Sequence, residues 1–171
     1  MVEQINTGIT KNTNNRIIQY LFQAHNWHYG SDNIPSEIAL NKRDAGFILT
    51  THDKNCNYSH NILNVYGEII FDMVEKNTPM KFKKIDRICF NWYNTNSIME
   101  FHQDIDADNK FSIIYNLHDN DGGTEFKINN EVKFYQSKGS EALLFPSKID
   151  HRGIAPKENF NRFCMNIILE I

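Results

Sequence analysis

The chain has 171 residues, of which 40 % are hydrophobic and 12 % aromatic, enough for one globular domain with its own core. A net charge of −3 with a pI near 6.1 provides no basic face of the kind nucleic-acid binders carry, so nucleic acid is not an expected partner. No apolar run approaches the ~20 residues of a membrane span, and the N-terminus MVEQINTGITKNTNN lacks the apolar segment of a signal peptide, so a cytoplasmic protein without a membrane partner is expected.

In chain order, Thr13 or Asn14 is placed to cap a helix through RIIQYLFQAH, with Ile17, Ile18, Leu21 and Phe22 on one side. Short strands are expected around WHYG and GFILTT. A second helix is expected from about Tyr58 to Lys76, carrying Ile62, Leu63, Tyr66, Ile69, Ile70 and Met73 at helical spacing and ended by Thr78-Pro79. From Phe82 the texture becomes β. RICFNWY, MEFHQD, FSIIYNL, TEFKI, EVKFYQ, EALLFP and RFCMNIILEI are short, aromatic and β-branched segments separated by Asn, Asp and Gly. Helices followed by about seven strands predict a single β-sandwich or barrel buttressed on one side by helices. Gly122 and Gly123 are expected to shape a turn with unusual backbone angles.

Side chains alternate between faces along a strand. Arg87, Cys89, Asn91 and Tyr93 therefore share one face, as do Ser112, Ile114, Asn116 and His118, and as do Arg162, Cys164 and Asn166. Cys and Asn are poor choices for a solvent face, so these three sets are expected to line a cavity while the greasy faces pack under the helices. Cys56, Cys89 and Cys164 show no Cys-x-x-Cys spacing, against both a disulfide framework and a thiolate zinc site. About a third of the residues are Asn, Ile or Lys, a bias expected of an AT-rich genome, viral or bacterial.

Three side chains carry the chemistry: His102 and Asp104 in FHQDIDAD, and His151 in KIDHRGIAP. Two imidazoles and one carboxylate can occupy one face of an octahedral ferrous ion and leave the opposite face open. Arg162, eleven residues after His151, adds a fixed cation whose planar fork suits a carboxylate. Arg152 and Lys157 read as solvated charges, and His118, His60, His52, His28 and His25 as surface or loop residues.

The stretch from about Arg87 to Ile171 resembles the iron(II)- and 2-oxoglutarate-dependent dioxygenases, in particular the prolyl-4-hydroxylase-like branch. The resemblance lies in the order of NWY, HQD, IIYNLHDNDGGTEF, SEALLFPSKIDHRG and RFCMNI. It implies a double-stranded β-helix, or jelly roll, buttressed by two or three helices. The whole chain then forms one domain, with residues 1–81 as helical support and flanking strands and residues 82–171 as the core. The family's iron ligands would be His102, Asp104 and His151. Arg162 would take the distal carboxylate of the co-substrate 2-oxoglutarate, and Tyr93 would hydrogen-bond the co-substrate. At the strand position where many relatives carry Tyr, the register lies between Tyr115 and Asn116; parity with Arg162 favours Asn116. Cys164 and Asn166 would line the substrate pocket. The implied cofactors are Fe(II), 2-oxoglutarate and dioxygen, with no catalytic side chain beyond the metal centre. The implied reaction is hydroxylation of a C–H bond of a prolyl residue in a peptide or protein, releasing succinate and carbon dioxide. The alternatives are the same chemistry on a small metabolite or nucleobase, and a non-catalytic jelly-roll binding module.

Overall fold

The computed structural model describes residues 1–25, 27–29, 46–53, 61–97 and 99–171. Its elements are β1 (Glu3–Asn6), α1 (Lys11–Gln23), β2 (His28–Tyr29), β3 (Phe47–Asp53), α2 (Asn61–Lys76), β4 (Lys84–Asn94), β5 (Lys110–Asn116), β6 (Gly123–Ile128), β7 (Glu131–Gln136), β8 (Glu141–Pro146), β9 (His151–Ile154) and β10 (Asn161–Glu170). Seven strands form one sheet in the order β1-β8-β5-β10-β4-β3-β2, and three form a smaller sheet in the order β7-β6-β9. Every strand pairing is antiparallel. This is a jelly roll with helices on the outer face of the larger sheet, as expected. The N-terminal half also supplies β1, β2 and β3 to that sheet, so it completes the jelly roll as well as supporting it.

The alternation read from sequence sorts the side chains as anticipated. Phe90, Ile88, Phe163, Met165, Ile167, Ile113 and Tyr115 join Ile17 and Leu21 of α1 and Leu63, Ile70 and Val74 of α2 in the main core. Each buried aliphatic side chain there contributes about 1.5–3 kcal/mol. The opposite face meets the small sheet through a second core that includes Tyr93, Ile114, Phe126, Leu143 and Phe145.

Several expectations need correction. Helix α1 starts earlier than Thr13: Thr10 is the cap, its hydroxyl accepting the Thr13 N–H at 3.3 Å. Phe22, expected inside, is 58 % exposed and packs edge-on against Phe163. Of the expected α2, residues 58–60 lie outside the described residues. Its buried stripe is Leu63, Gly67, Ile70 and Val74, while Ile62 and Ile69 point outward. The stripe includes a glycine because a Cβ at 67 would come within 2.8 Å of Ile88 Cδ1, so the sequence signal was weakest where helix and sheet approach most closely. MEFHQD is not a strand; it makes one isolated bridge, His102 to His151. Strands β1 and β9 were not anticipated. Gly122 and Gly123 do not adopt positive φ. They are small because a Cβ at 122 would lie 2.5 Å from the Ile154 carbonyl oxygen, and one at 123 would overlap that of Tyr135.

Candidate metal centre

The bridge between His102 and His151 brings the loop after β4 against the start of β9. Each backbone N–H donates to the other's carbonyl at 2.9 Å. Asp104, two residues on, donates its N–H to the Ser147 carbonyl at 3.0 Å, so all three side chains converge. One ligating atom from each of His102, Asp104 and His151 lies within 4.8 Å of the others.

The protonation of each ring follows from its partner. His102 Nδ1 lies 3.1 Å from the Glu100 carbonyl and His151 Nδ1 lies 2.9 Å from that of Ile149. A carbonyl only accepts, so both Nδ1 atoms carry a proton, which leaves each Nε2 as the ring atom able to offer a lone pair to a metal. Burial pushes the His151 pKa down, and His102 adds to this, against the opposing pull of Asp104. Burial works against the charge of Asp104. The carboxyl is nevertheless held below the usual carboxylate range, with the Arg87 guanidinium and the Ser112 hydroxyl favouring its charged form. His151 Nε2 thus turns a lone pair toward Asp104 Oδ2 at 3.7 Å. Two acceptors facing each other repel unless a cation lies between them, so the donor set fits a divalent metal. Imidazole and carboxylate together suit iron among the first-row ions.

Asp104 is tightly held. Ser112 Oγ donates to Oδ2 at 2.6 Å, and Asn166 Nδ2 lies 3.1 Å from Oδ2 and 3.3 Å from Oδ1. Arg87 Nη2 stands 3.6 Å from Oδ1. Arg87 and Ser112 were legible in sequence as members of the inward faces. Their contacts with Asp104 were not, because they arise only when the loop folds under the sheet.

The inward faces of β4 and β10 wall a cavity next to this cluster, as expected; β3 joins them unexpectedly, and of the set Ser112, Ile114, Asn116 and His118 only Ile114 lines it. Arg87, Cys89, Asn91 and Tyr93 come from β4, and Arg162, Cys164 and Asn166 from β10. Ile48, Thr50, Met99, Ile114, Thr124 and Gly153 complete the lining, and the small sheet closes it with His151.

At one end lies Arg162, only 1 % exposed. Its Nη2 donates to Thr124 Oγ1 at 3.1 Å and reaches Asn116 Oδ1 at 3.4 Å. Its guanidinium stacks over the Tyr93 ring, 5.1 Å from the centroid. Nε and Nη1 are buried without an acceptor among the described residues. A buried guanidinium with unsatisfied N–H groups calls for an anion, and a carboxylate matches its fork. Burial, then the nearby Cys164, raises the Tyr93 phenol far above its usual pKa, so it stays protonated. Gly153 makes room for it: a Cβ there would sit 2.8 Å from Tyr93 Cζ.

Tyr115 and Asn116 part company. Tyr115 points away from the cavity, and its hydroxyl donates to Asn14 Oδ1 at 2.7 Å. Asn116 shares a face with Arg162 but does not line the cavity. Its Oδ1 stands behind the guanidinium and also accepts from Ser137 Oγ at 3.0 Å. Arg152 turns to the outer face, where Nε pairs with Glu125 at 2.8 Å, and Lys157 is exposed. His118, expected at the surface, is half-buried beside β10. His60 and Cys56 lie outside the described residues.

No protein-family model matches the chain, and no curated protein matches it in sequence. Its fold does match solved structures. A prolyl hydroxylase from Trichoplax adhaerens, in complex with a hypoxia inducible factor oxygen degradation domain peptide fragment, superposes with a TM-score of 0.68 at 13 % identity, covering 99 % of this chain and 83 % of that one. A prolyl-4-hydroxylase from Pseudomonas putida gives 0.64 at 10 % identity, covering 99 % and 92 %. HygX from Streptomyces hygroscopicus, with nickel and 2-oxoglutarate bound, gives 0.66 at 8 % identity, covering 99 % and 82 %. The chain therefore has the jelly-roll fold of the iron- and 2-oxoglutarate-dependent dioxygenases, a fold that includes the prolyl-4-hydroxylase-like group. Among the described residues, no helix is long and apolar enough to cross a membrane.

Proposed function

We propose that this protein is an Fe(II)- and 2-oxoglutarate-dependent dioxygenase that hydroxylates a C–H bond and releases succinate and carbon dioxide. The observation that carries the reading is the convergence of two imidazole Nε2 lone pairs and one carboxylate beside a buried, incompletely satisfied guanidinium. His102, Asp104 and His151 would hold the iron. Three protein donors leave coordination positions open, whereas structural zinc is usually closed by four. The bound iron, with 2-oxoglutarate and dioxygen, supplies the oxidising power for breaking the C–H bond.

The remaining work falls to the chain. Arg162 receives the distal carboxylate of 2-oxoglutarate, with Thr124 and Asn116 aiming its Nη2. Tyr93, kept protonated by burial, can donate a hydrogen bond into the same pocket. Ser112 and Asn166 hold the Asp104 carboxylate, and the Glu100 and Ile149 carbonyls fix the two rings. Cys164 and Asn166 face the cavity and would border the substrate. A prolyl residue in a peptide or protein is the proposed target. Two fold neighbours named as prolyl hydroxylases, one of them complexed with a peptide, support it.

Anaerobic addition of Fe(II) followed by 2-oxoglutarate should produce a visible charge-transfer band in the native protein and none in His102→Ala. Absence of the band from the native protein would overturn the reading. In air, proline-containing peptides should gain one oxygen with matching succinate. A gain on small metabolites and none on peptides would keep the chemistry and overturn the prolyl target.

A further inference from the structure

The start of β10 is where the sheet delivers Arg162 to the cavity, and its hydrogen bonding departs from the ladder. Strands β5 and β10 run in register to the pair Asn116 and Cys164. The next pair, Leu117 and Phe163, falls at a hydrogen-bonded position of the ladder, where antiparallel partners exchange two backbone bonds. Only one forms: Leu117 N–H donates to the Phe163 carbonyl at 3.3 Å. The Phe163 N–H donates instead to His118 Nε2 at 3.1 Å. The chain has turned away from the sheet after Leu117, and the imidazole takes the place of the missing carbonyl.

The same turn grips the residue on the other side of Arg162. Asn120 Nδ2 donates to the Asn161 carbonyl at 3.0 Å, while Trp92 Nε1 donates to Asn161 Oδ1 at 2.7 Å. The turn itself is anchored: Ser137 Oγ lies 3.1 Å from the His118 carbonyl as well as 3.0 Å from Asn116 Oδ1. Gly139 packs so closely that a Cβ there would meet His118 Cα at 3.2 Å. Arg162 therefore sits between two clamped neighbours, with His118 closing one of them.

We infer that His118 is a positioning residue for the co-substrate pocket: by accepting the Phe163 N–H it fixes the backbone from which Arg162 presents its guanidinium. The inference rests on the dioxygenase reading for the identity of the anion that Arg162 receives. An accepting imidazole must be neutral, and burial, followed by the charge of Arg162, lowers the His118 pKa against the weaker pull of Asp119. The sequence carries the residue in plain view after the strand FSIIYNL, but nothing in its spacing shows that its ring replaces a carbonyl.

The test compares His118→Leu, which keeps bulk and loses the acceptor, with His118→Gln, whose amide oxygen can reach where Nε2 stood. His118→Asn, too short to reach Phe163, replaces the Leu variant should that one fail to fold. Calorimetry of 2-oxoglutarate binding to the anaerobic Mn(II)-loaded protein should show binding weakened about tenfold in His118→Leu and restored in His118→Gln, with Mn(II) affinity unchanged in both. The Phe163 amide should exchange slowly with deuterium in the native protein, faster in the Leu variant, and slowly again with Gln. Native-like 2-oxoglutarate binding in His118→Leu, or an unprotected Phe163 amide in the native protein, would overturn the inference. A native protein that binds Mn(II) but not 2-oxoglutarate would sink the dioxygenase reading and with it any role for His118 toward that co-substrate.

Discussion

Asp104 has little rotational freedom: the Ser112 hydroxyl, the Asn166 amide and the Arg87 guanidinium all reach its two oxygens. Groups behind a metal ligand set its orientation, and losing one typically costs 10- to 100-fold in affinity or activity. Ser112→Ala should therefore weaken Mn(II) binding about tenfold while leaving the fold intact, read by calorimetry alongside thermal unfolding. Unchanged affinity would mean that the backbone bond from Asp104 to Ser147 suffices to hold the carboxylate. Arg162 calls for a different substitution. Lysine keeps the charge but not the planar fork, so Arg162→Lys should raise the KM for 2-oxoglutarate on the order of a hundredfold, about 3 kcal/mol, and spare metal binding. Steady-state succinate release against 2-oxoglutarate concentration measures it. Both residues show what a sequence carries at this scale. Strand parity was enough to set Arg162, Cys164 and Asn166 on one inward face with Tyr93. It could not show that Asn166 donates to Asp104, because the two are 62 positions apart and meet through a loop that parity does not govern.

Between elements, a buried polar contact joins α1 to the sheet beside the apolar packing of Ile17 and Leu21. Tyr115 of β5 donates to Asn14 Oδ1 at 2.7 Å, and Asn14 Nδ2 lies 3.1 Å from Ser140 Oγ. Asn14 is buried, so removing the phenolic hydroxyl strands its oxygen. Tyr115→Phe should lower stability by about 1–3 kcal/mol in urea unfolding and leave the KM for 2-oxoglutarate unchanged. An altered KM would mean that this residue serves the pocket despite pointing away from it. Elements were legible where alternation was long and regular, as in β4 and β10, and β8 was legible as a short apolar run. They were misread where tertiary contact decides. MEFHQD has the composition of a strand yet pairs only through the His102 bridge, and α2 turns toward the sheet the stripe that contains Gly67 in place of its richer Ile62 and Ile69 side. The four residues of β1 carry too short a pattern to announce themselves; they become a strand because β8 offers a free edge.

Across the whole molecule, the central strands are tied together by charge. Lys110, at the start of β5, sits in register with Glu170 of β10, which pairs in turn with Lys84 of β4. Its ammonium is 2.5 Å from both Asp86 Oδ2 and Glu170 Oε2, and only 7 % of the residue is exposed. Burial alone would lower the Lys110 pKa, but hydrogen bonds to Asp86 and Glu170 outweigh it and raise it above the ordinary lysine value. The Lys110 and Lys84 hydrogen bonds lower the pKa of Glu170. The signs then fix a window. A carboxylate whose folded pKa is depressed contributes stability that is complete above its unfolded value, ~4.3, and is lost as pH falls through the lower folded one. A lysine whose folded pKa is raised contributes stability that is complete below its unfolded value, ~10.4, and is lost as pH rises through the higher folded one. Lys110→Met removes the closer of the two ammonium groups from Asp86 and Glu170, and Lys84 stays at 3.7 Å and 3.3 Å. Its urea midpoint should therefore fall below that of the native protein by the largest margin between about pH 5 and pH 10, with the margin narrowing in acid and again in strong base. A margin that stayed constant as the pH dropped below ~4 would show that Lys110 supports the sheet by packing its methylene chain, not by its charge.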